Sequence, residues 1–123
     1  MSIQYQIDYL NDILYEDVTG LIDDAEAERA VNNHINYNNT HSGMKMFTSI
    51  QNAQIKVSTR CIVELARKSR DFYTNYRGTK WAIYSLNKYN YGLARMFASI
   101  ASTSSFSIKV FKDRKLAEEW LNS

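Results

Sequence analysis

The stretch KWAIYSLNKYNYGLARMF, Lys80–Phe97, decides the fold. Trp81 to Leu86 form an apolar run that a polar corner interrupts, after which apolar residues recur at helical spacing through Leu93, Met96, Phe97 and Ile100. The pattern predicts a strand buried on both faces that turns directly into a helix, as expected for a middle strand of a parallel sheet covered by helices. Upstream, Ser58 or Thr59 suits the cap of a long helix with Ile62, Leu65, Ala66, Ser69, Phe72, Tyr73 and Tyr76 inward, closed by Arg77-Gly78-Thr79. Downstream, Phe106, Ile108 and Val110 alternate as a strand, and Asp113 caps a last helix docked through Leu116, Ala117, Trp120 and Leu121.

Toward the N-terminus, Ile3, Tyr5, Ile7 and Tyr9 alternate with polar residues, Asn11-Asp12 offers a turn, and Ile13 to Thr19 predict a second strand before Gly20. Asp23 with Glu26 three residues on reads as a helix start, with Ala27, Ala30, Val31, His34 and Ile35 as the buried stripe. That helix is expected to dissolve in the polar run Asn38 to Gly43. Met44 to Ile50 then give an interior strand, with Gln51 to Val57 as a link. The expectation is an α/β domain: an N-terminal hairpin joined to a mostly parallel mixed sheet of five strands, with four helices.

The chain of 123 residues suits one domain spanning 1–123, and its 45% hydrophobic and 23% charged content is globular. No apolar run approaches the roughly 20 residues of a membrane span, the N-terminus has no secretory pattern, and a single Cys61 permits no internal disulfide. A cytoplasmic protein is expected. The formal charge of +2 hides an asymmetry: residues 1–43 carry eight acids against Arg29 alone, a balance of −7, and the remainder is +9. Attraction between the halves of one domain explains this, and head-to-tail pairing would give a homodimer.

The element order, with TKWAIYSLNKYNYGLARMFASIA and the ending IKVFKDRKLAEEWL, resembles the STAS superfamily, and more closely its SpoIIAA-like branch of small stand-alone bacterial proteins. Tyr91, Gly92, Leu93, Ala94, Arg95, Met96 and Phe97 carry the helix-start resemblance. Val110, Phe111, Ala117, Trp120 and Leu121 carry that of the C-terminal strand and helix. The resemblance implies a non-enzymatic regulatory or protein-interaction module. Anti-sigma factor antagonists of this superfamily have an Asp-Ser-Ser-Gly-type segment whose serine is phosphorylated by a partner kinase. Thr48 to Ser58 stand in its place here without that tetrad, so the usual phosphorylation switch is not expected, although Ser49 and Ser58 are hydroxyls a kinase would modify. The branch is also similar to the CRAL-TRIO lipid-carrier fold, which implies small lipophilic ligands.

Ligands of open parallel sheets bind beyond the carboxyl ends of the strands, which gathers Thr48, Ser49, Ser85, Asn87, Asn90 and Arg95 at one rim. A partner is expected around Ser58 and Asn90 to Arg95, with Tyr91 and Gly92 at an exposed helix start where free N–H groups favour an anion. The structural alternative is that Gly92 lets its helix approach the sheet and Arg95 bonds to a carbonyl or Asp17. The second functional reading is a carrier or sensor of a small lipophilic anion, its head group at Arg95 and its tail among Met46, Phe72, Met96 and Phe97, beside Met44 and Cys61.

No catalytic residues, cofactor or metal site are expected. The acids of the first helix form a solvated face, and His34 and His41 have no Cys, Asp or Glu at ligand spacing. Cys61, flanked by apolar residues and only Arg60, reads as packing. Tyr73, Tyr76, Arg77, Lys80, Trp81, Lys88, Tyr89 and Tyr91 interleave aromatics with cations, but half the aromatics fall on buried positions, which argues against nucleic acid.

Overall fold

A computed structural model describes residues 2–40, 45–75 and 79–123. The elements run β1 (Ser2–Asp8), β2 (Ile13–Ile22), α1 (Asp24–Thr40), β3 (Lys45–Ile55), α2 (Thr59–Tyr73), β4 (Thr79–Tyr84), α3 (Lys88–Ala101), β5 (Phe106–Phe111) and α4 (Arg114–Leu121). The sheet order is β1-β2-β3-β4-β5, antiparallel between β1 and β2 and parallel across the rest. Each crossover helix joins neighbouring parallel strands, so the common handedness of such connections puts α1, α2 and α3 on one face. There Leu14, Val18, Met46, Ile50, Trp81, Ile83 and Ile108 meet Ala66, Tyr73, Ala94 and Ala98 in the main core. On the other face Ala117 and Leu121 of α4 cover Ile13, Phe47 and Ala82.

Several boundaries differ from the sequence expectation. β2 continues through Gly20, whose φ of 84° suits a residue without Cβ, to Ile22, after a register shift between Asp17 and Thr19. β3 runs on to Ile55 because β2 still pairs with it, replacing the expected link. α1 runs through 38–40 to Thr40, and β4 ends at Tyr84, before Leu86. Leu116 is 54% exposed and does not dock. The hairpin turn follows Asp8, whose carboxylate accepts from Leu10 N at 3.0 Å, Asn11 N at 3.2 Å and Asn11 Nδ2 at 2.9 Å. Asp12 takes a φ of 55° there. His41, Met44, Tyr76, Arg77 and Gly78 lie outside the described residues.

β4 is shorter than β3, and their pairing stops at Ser49 and Tyr84. The carbonyls of β3 beyond that point face a buried region with no strand beside them. Asn90, 1% exposed, answers this: its Nδ2 donates to Ile50 O at 3.0 Å and Ala53 O at 2.9 Å. The start of α3 is thereby pinned against the end of β3.

Candidate functional site

Alternation along β2 aims Leu14, Glu16 and Val18 at the helices, and the register sets Glu16 beside Thr48 of β3. Glu16 is therefore a carboxylate on the apolar face, 6% exposed. It accepts through Oε1 from Thr48 Oγ1 at 2.7 Å, and Thr48 Oγ1 in turn accepts from Trp81 Nε1 at 2.9 Å. From α1, His34 Nε2 lies 2.6 Å from the same Oε1, and its ring sits 4.3 Å from that of Trp81. Glu16, Thr48 and Trp81 are thus joined by hydrogen bonds across three strands, and His34 of α1 stands at ion-pair distance from the same carboxylate.

Beside this chain, between α1, α2, α3 and the sheet, lies a pocket of about 170 Å³. Val18, Ile50, Ile62, Leu65, Leu93 and Phe97 are among its walls, and Glu16, His34, Thr48 and Trp81 form its polar boundary. The small side chains Ala27 and Ala30 of α1 leave the space open on that side. A larger groove of about 810 Å³ lies on the opposite face, where α4 leaves part of the sheet uncovered. Its lining is of mixed polarity. Of its aromatic residues, Phe47 is buried and covered by Arg114, whose Cζ lies 4.8 Å from the ring centroid. The smaller pocket is the better candidate for an apolar ligand because its walls are almost all carbon.

Of the expected rim residues, Thr48 reaches this pocket and the others do not. Ser49 is buried and lines the opposite groove. Ser58 caps α2, accepting from Cys61 N at 3.2 Å, while its N and Oγ donate to the Asp24 carboxylate at 2.7 and 2.8 Å. Ser85 is fully buried, and its Oγ accepts from Asn87 N at 3.1 Å. Asn87 caps α3 through Tyr89 N at 2.9 Å and Asn90 N at 3.1 Å. Tyr91 is half-buried, with Lys112 Nζ 4.6 Å and Arg95 Cζ 5.9 Å from its ring. Gly92 is exposed, and a Cβ there would meet nothing within 4 Å, so it does not serve close approach to the sheet. Arg95 is exposed and absent from the pocket walls.

Of the four expected pocket residues, Phe97 alone lines it, set edge-on to Trp81 at 5.5 Å. Met46 is buried in the core and accepts from Tyr73 Oη at 3.7 Å, and Phe72 packs edge-on to the Tyr73 ring at 4.9 Å. Met96 is half-buried outside the pocket walls. The pocket is walled by α1 as well as by α2 and α3, and these three residues are not among its lining. The residues that sequence reasoning passed over are Glu16, His34 and Thr48 as a group. Their signal was a polar residue at an inward position in each of three apolar stripes.

Cys61 lies at the start of α2, with Sγ 3.8 Å from Asp24 O. Burial, and then the carboxylates of Asp24, Glu64 and Glu28, push its thiol pKa up. No helix among the described residues is long and apolar enough to cross a membrane.

The architecture is a SpoIIAA-like fold: among the described residues, an α/β arrangement with a mixed sheet of five strands and four helices. A crystal structure of a DUF3478-family protein with a SpoIIAA-like fold, from Shewanella loihica PV-4, superposes with a TM-score of 0.59 at 13% identity. It covers 98% of this chain and 92% of that one. No family model matches the sequence, and no curated protein does.

Proposed function

We propose that the protein is a non-catalytic binding module on the SpoIIAA-like scaffold, holding a small lipophile in the pocket beneath α1. The observation that carries this is a pocket of about 170 Å³ walled mostly by apolar side chains, in whose polar boundary Glu16, Thr48 and Trp81 bond to one another and His34 stands against Glu16. An apolar cavity of about 150 Å³ stays dry and takes a benzene-sized guest. The ligand class is therefore an uncharged aromatic or short branched hydrocarbon, or the end of a longer chain. The lipophilic anion expected from sequence is replaced by a neutral ligand, because Arg95 is not in the wall and the one cationic candidate, His34, sits on Glu16.

The order of the polar groups supports a non-catalytic role. In a nucleophilic triad the histidine stands between acid and hydroxyl. Here the carboxylate stands between His34 and Thr48, and the hydroxyl gives its proton to the acid. A phosphorylation switch at Ser58 is disfavoured by Asp24, whose carboxylate would face the added charge. The lone thiol suits a reducing cytoplasm.

Native mass spectrometry of gently purified protein, compared with the denatured and solvent-extracted sample, tests the reading. The expected result is a recovered apolar adduct that is lost in Ala30→Phe, which fills the pocket from α1. Recovery of the same adduct from a folded Ala30→Phe variant overturns the assignment of the site.

A second reading, a protein partner at the start of α3, rests on a different observation. Leu86 and Tyr89 are 55% and 60% exposed beside Lys88, Arg95 and Lys112, and Gly92 leaves that helix face open. Partner capture that fails in Arg95→Ala while the apolar adduct persists favours this reading.

A further inference from the structure

The two edges of the sheet are protected very differently. β5 is six residues long, carries exposed Lys109 at its middle and is followed by exposed Lys112. Those are the usual guards against pairing with another chain. β1 is seven residues, SIQYQID, with no lysine, arginine, proline or glycine, and its register with β2 is unbroken from Ser2 to Asp8. It presents a regular row of outward backbone groups. Exposed apolar side chains gather along the same hairpin: Tyr5 at 50%, Tyr9 at 80% and Leu10 at 91%.

The sequence of this edge reads the same in both directions about Tyr5: Ile3-Gln4-Tyr5-Gln6-Ile7. An antiparallel two-fold pairing centred on Tyr5 sets Ile3 opposite Ile7 of the second copy, Gln4 opposite Gln6, and Tyr5 opposite itself. Ser2 then faces Asp8, so no like charges meet within the strand. The isoleucines and tyrosines fall on the helix side of the joined sheet and the glutamines on the other, matching the face division already set by β2.

We infer that β1 is a self-association edge whose occupant is β1 of a second copy, joining two five-stranded sheets into one of ten strands about a two-fold axis. This differs from pairing driven by the charge asymmetry, since it brings together the two N-terminal regions, each of net charge −7 over residues 1–43. Salt screens that repulsion and therefore strengthens the dimer, whereas it would weaken a head-to-tail ionic contact.

Sedimentation equilibrium at low and high ionic strength, with disulfide trapping, tests the inference. Wild type is expected to dimerise, more tightly at high salt. Tyr5→Lys, and separately Gln4→Lys with Gln6→Lys on the exposed opposite side, are expected to be folded monomers by circular dichroism. In a Cys61→Ser background, Tyr5→Cys is expected to oxidise to a covalent dimer. Gln4→Cys is expected to crosslink to Gln6→Cys in a mixed sample but not to itself, because a diagonal neighbour lies about 7–8 Å away, beyond disulfide reach. A wild type that stays monomeric at all concentrations, a dimer that survives both lysine variants, or Gln4→Cys linking to itself as readily as Tyr5→Cys would overturn the assignment.

Discussion

His34 Nε2 and Glu16 Oε1 stand 2.6 Å apart with side chains only 3% and 6% exposed, tying α1 to the middle of the sheet. Removing one member of a buried pair strands the other, at a cost of about 3–5 kcal/mol, whereas replacing both with apolar groups of similar volume is near neutral. Glu16→Ala and His34→Ala are each expected to lose about that much stability in urea unfolding. Glu16→Leu with His34→Leu is expected to lose far less than the sum. An additive double variant would show that the two residues act separately.

Asn90 makes its prediction through the carbonyls it serves. Asn90→Leu keeps the volume but leaves Ile50 O and Ala53 O without their donor, and each buried orphan costs about 1–3 kcal/mol. A loss of about 2–5 kcal/mol is expected, with faster hydrogen exchange at the end of β3. Asn90→Asp is expected to be at least as damaging, since it turns a carboxyl toward two carbonyls.

Gly92 gives the opposite sign. It sits in α3 on an exposed face with nothing within 4 Å of a built Cβ. Gly92→Ala is expected to raise stability by about 0.5–1 kcal/mol through helix propensity. Under the second reading the same methyl weakens a partner that approaches α3 closely. Unfolding and partner capture measured on this one variant therefore separate its structural from its binding effect.

The fold was legible because Trp81 to Tyr84 are apolar on successive positions while Ile3 to Ile7 alternate, and those two periods define a covered middle and a half-open edge. The caps Asp23, Ser58 and Asp113 were legible for a local reason, since each bonds a backbone N–H three residues on. The candidate site was not legible in this way. Glu16, His34 and Thr48 meet only after three elements pack, and spacing along the chain carries no trace of a contact 32 residues apart. Ser85, Asn87 and Asn90 fit ligand groups in the sequence because polar residues at a strand end can serve either a ligand or the backbone. The unequal lengths of β3 and β4, which decide the matter for Asn90, cannot be read from polarity.

Cys61 offers a kinetic test. Its raised pKa means less thiolate at any given pH, and the thiolate is the nucleophile. Reaction with a disulfide reagent at mildly alkaline pH is expected to be slower than that of a free thiol such as glutathione. Asp24→Asn removes the carboxylate that raises the thiol pKa most and is expected to speed it. A rate above that of glutathione would contradict the packing role assigned to this residue.

Asp8 makes the pH dependence of the hairpin testable. Its carboxyl pKa is lowered below the ordinary value by the Asn11 side-chain amide first, then the Asn11 backbone N–H, against desolvation, with the Leu10 N–H and Lys45 adding lesser lowering. A carboxyl depressed in the folded state stabilises the fold above its unfolded pKa, and that contribution fades as the pH falls through the folded value. Wild type is therefore expected to exceed Asp8→Ala in stability at neutral pH, with the gap narrowing progressively on acidification. An Asn11→Ala variant removes the largest contributor, so its Asp8 carboxyl is expected to titrate closer to the ordinary carboxylate range in NMR. A gap between wild type and Asp8→Ala that stays constant through the acid range would mean that the turn is held by its backbone conformation at Asp12 and not by the ionised carboxylate.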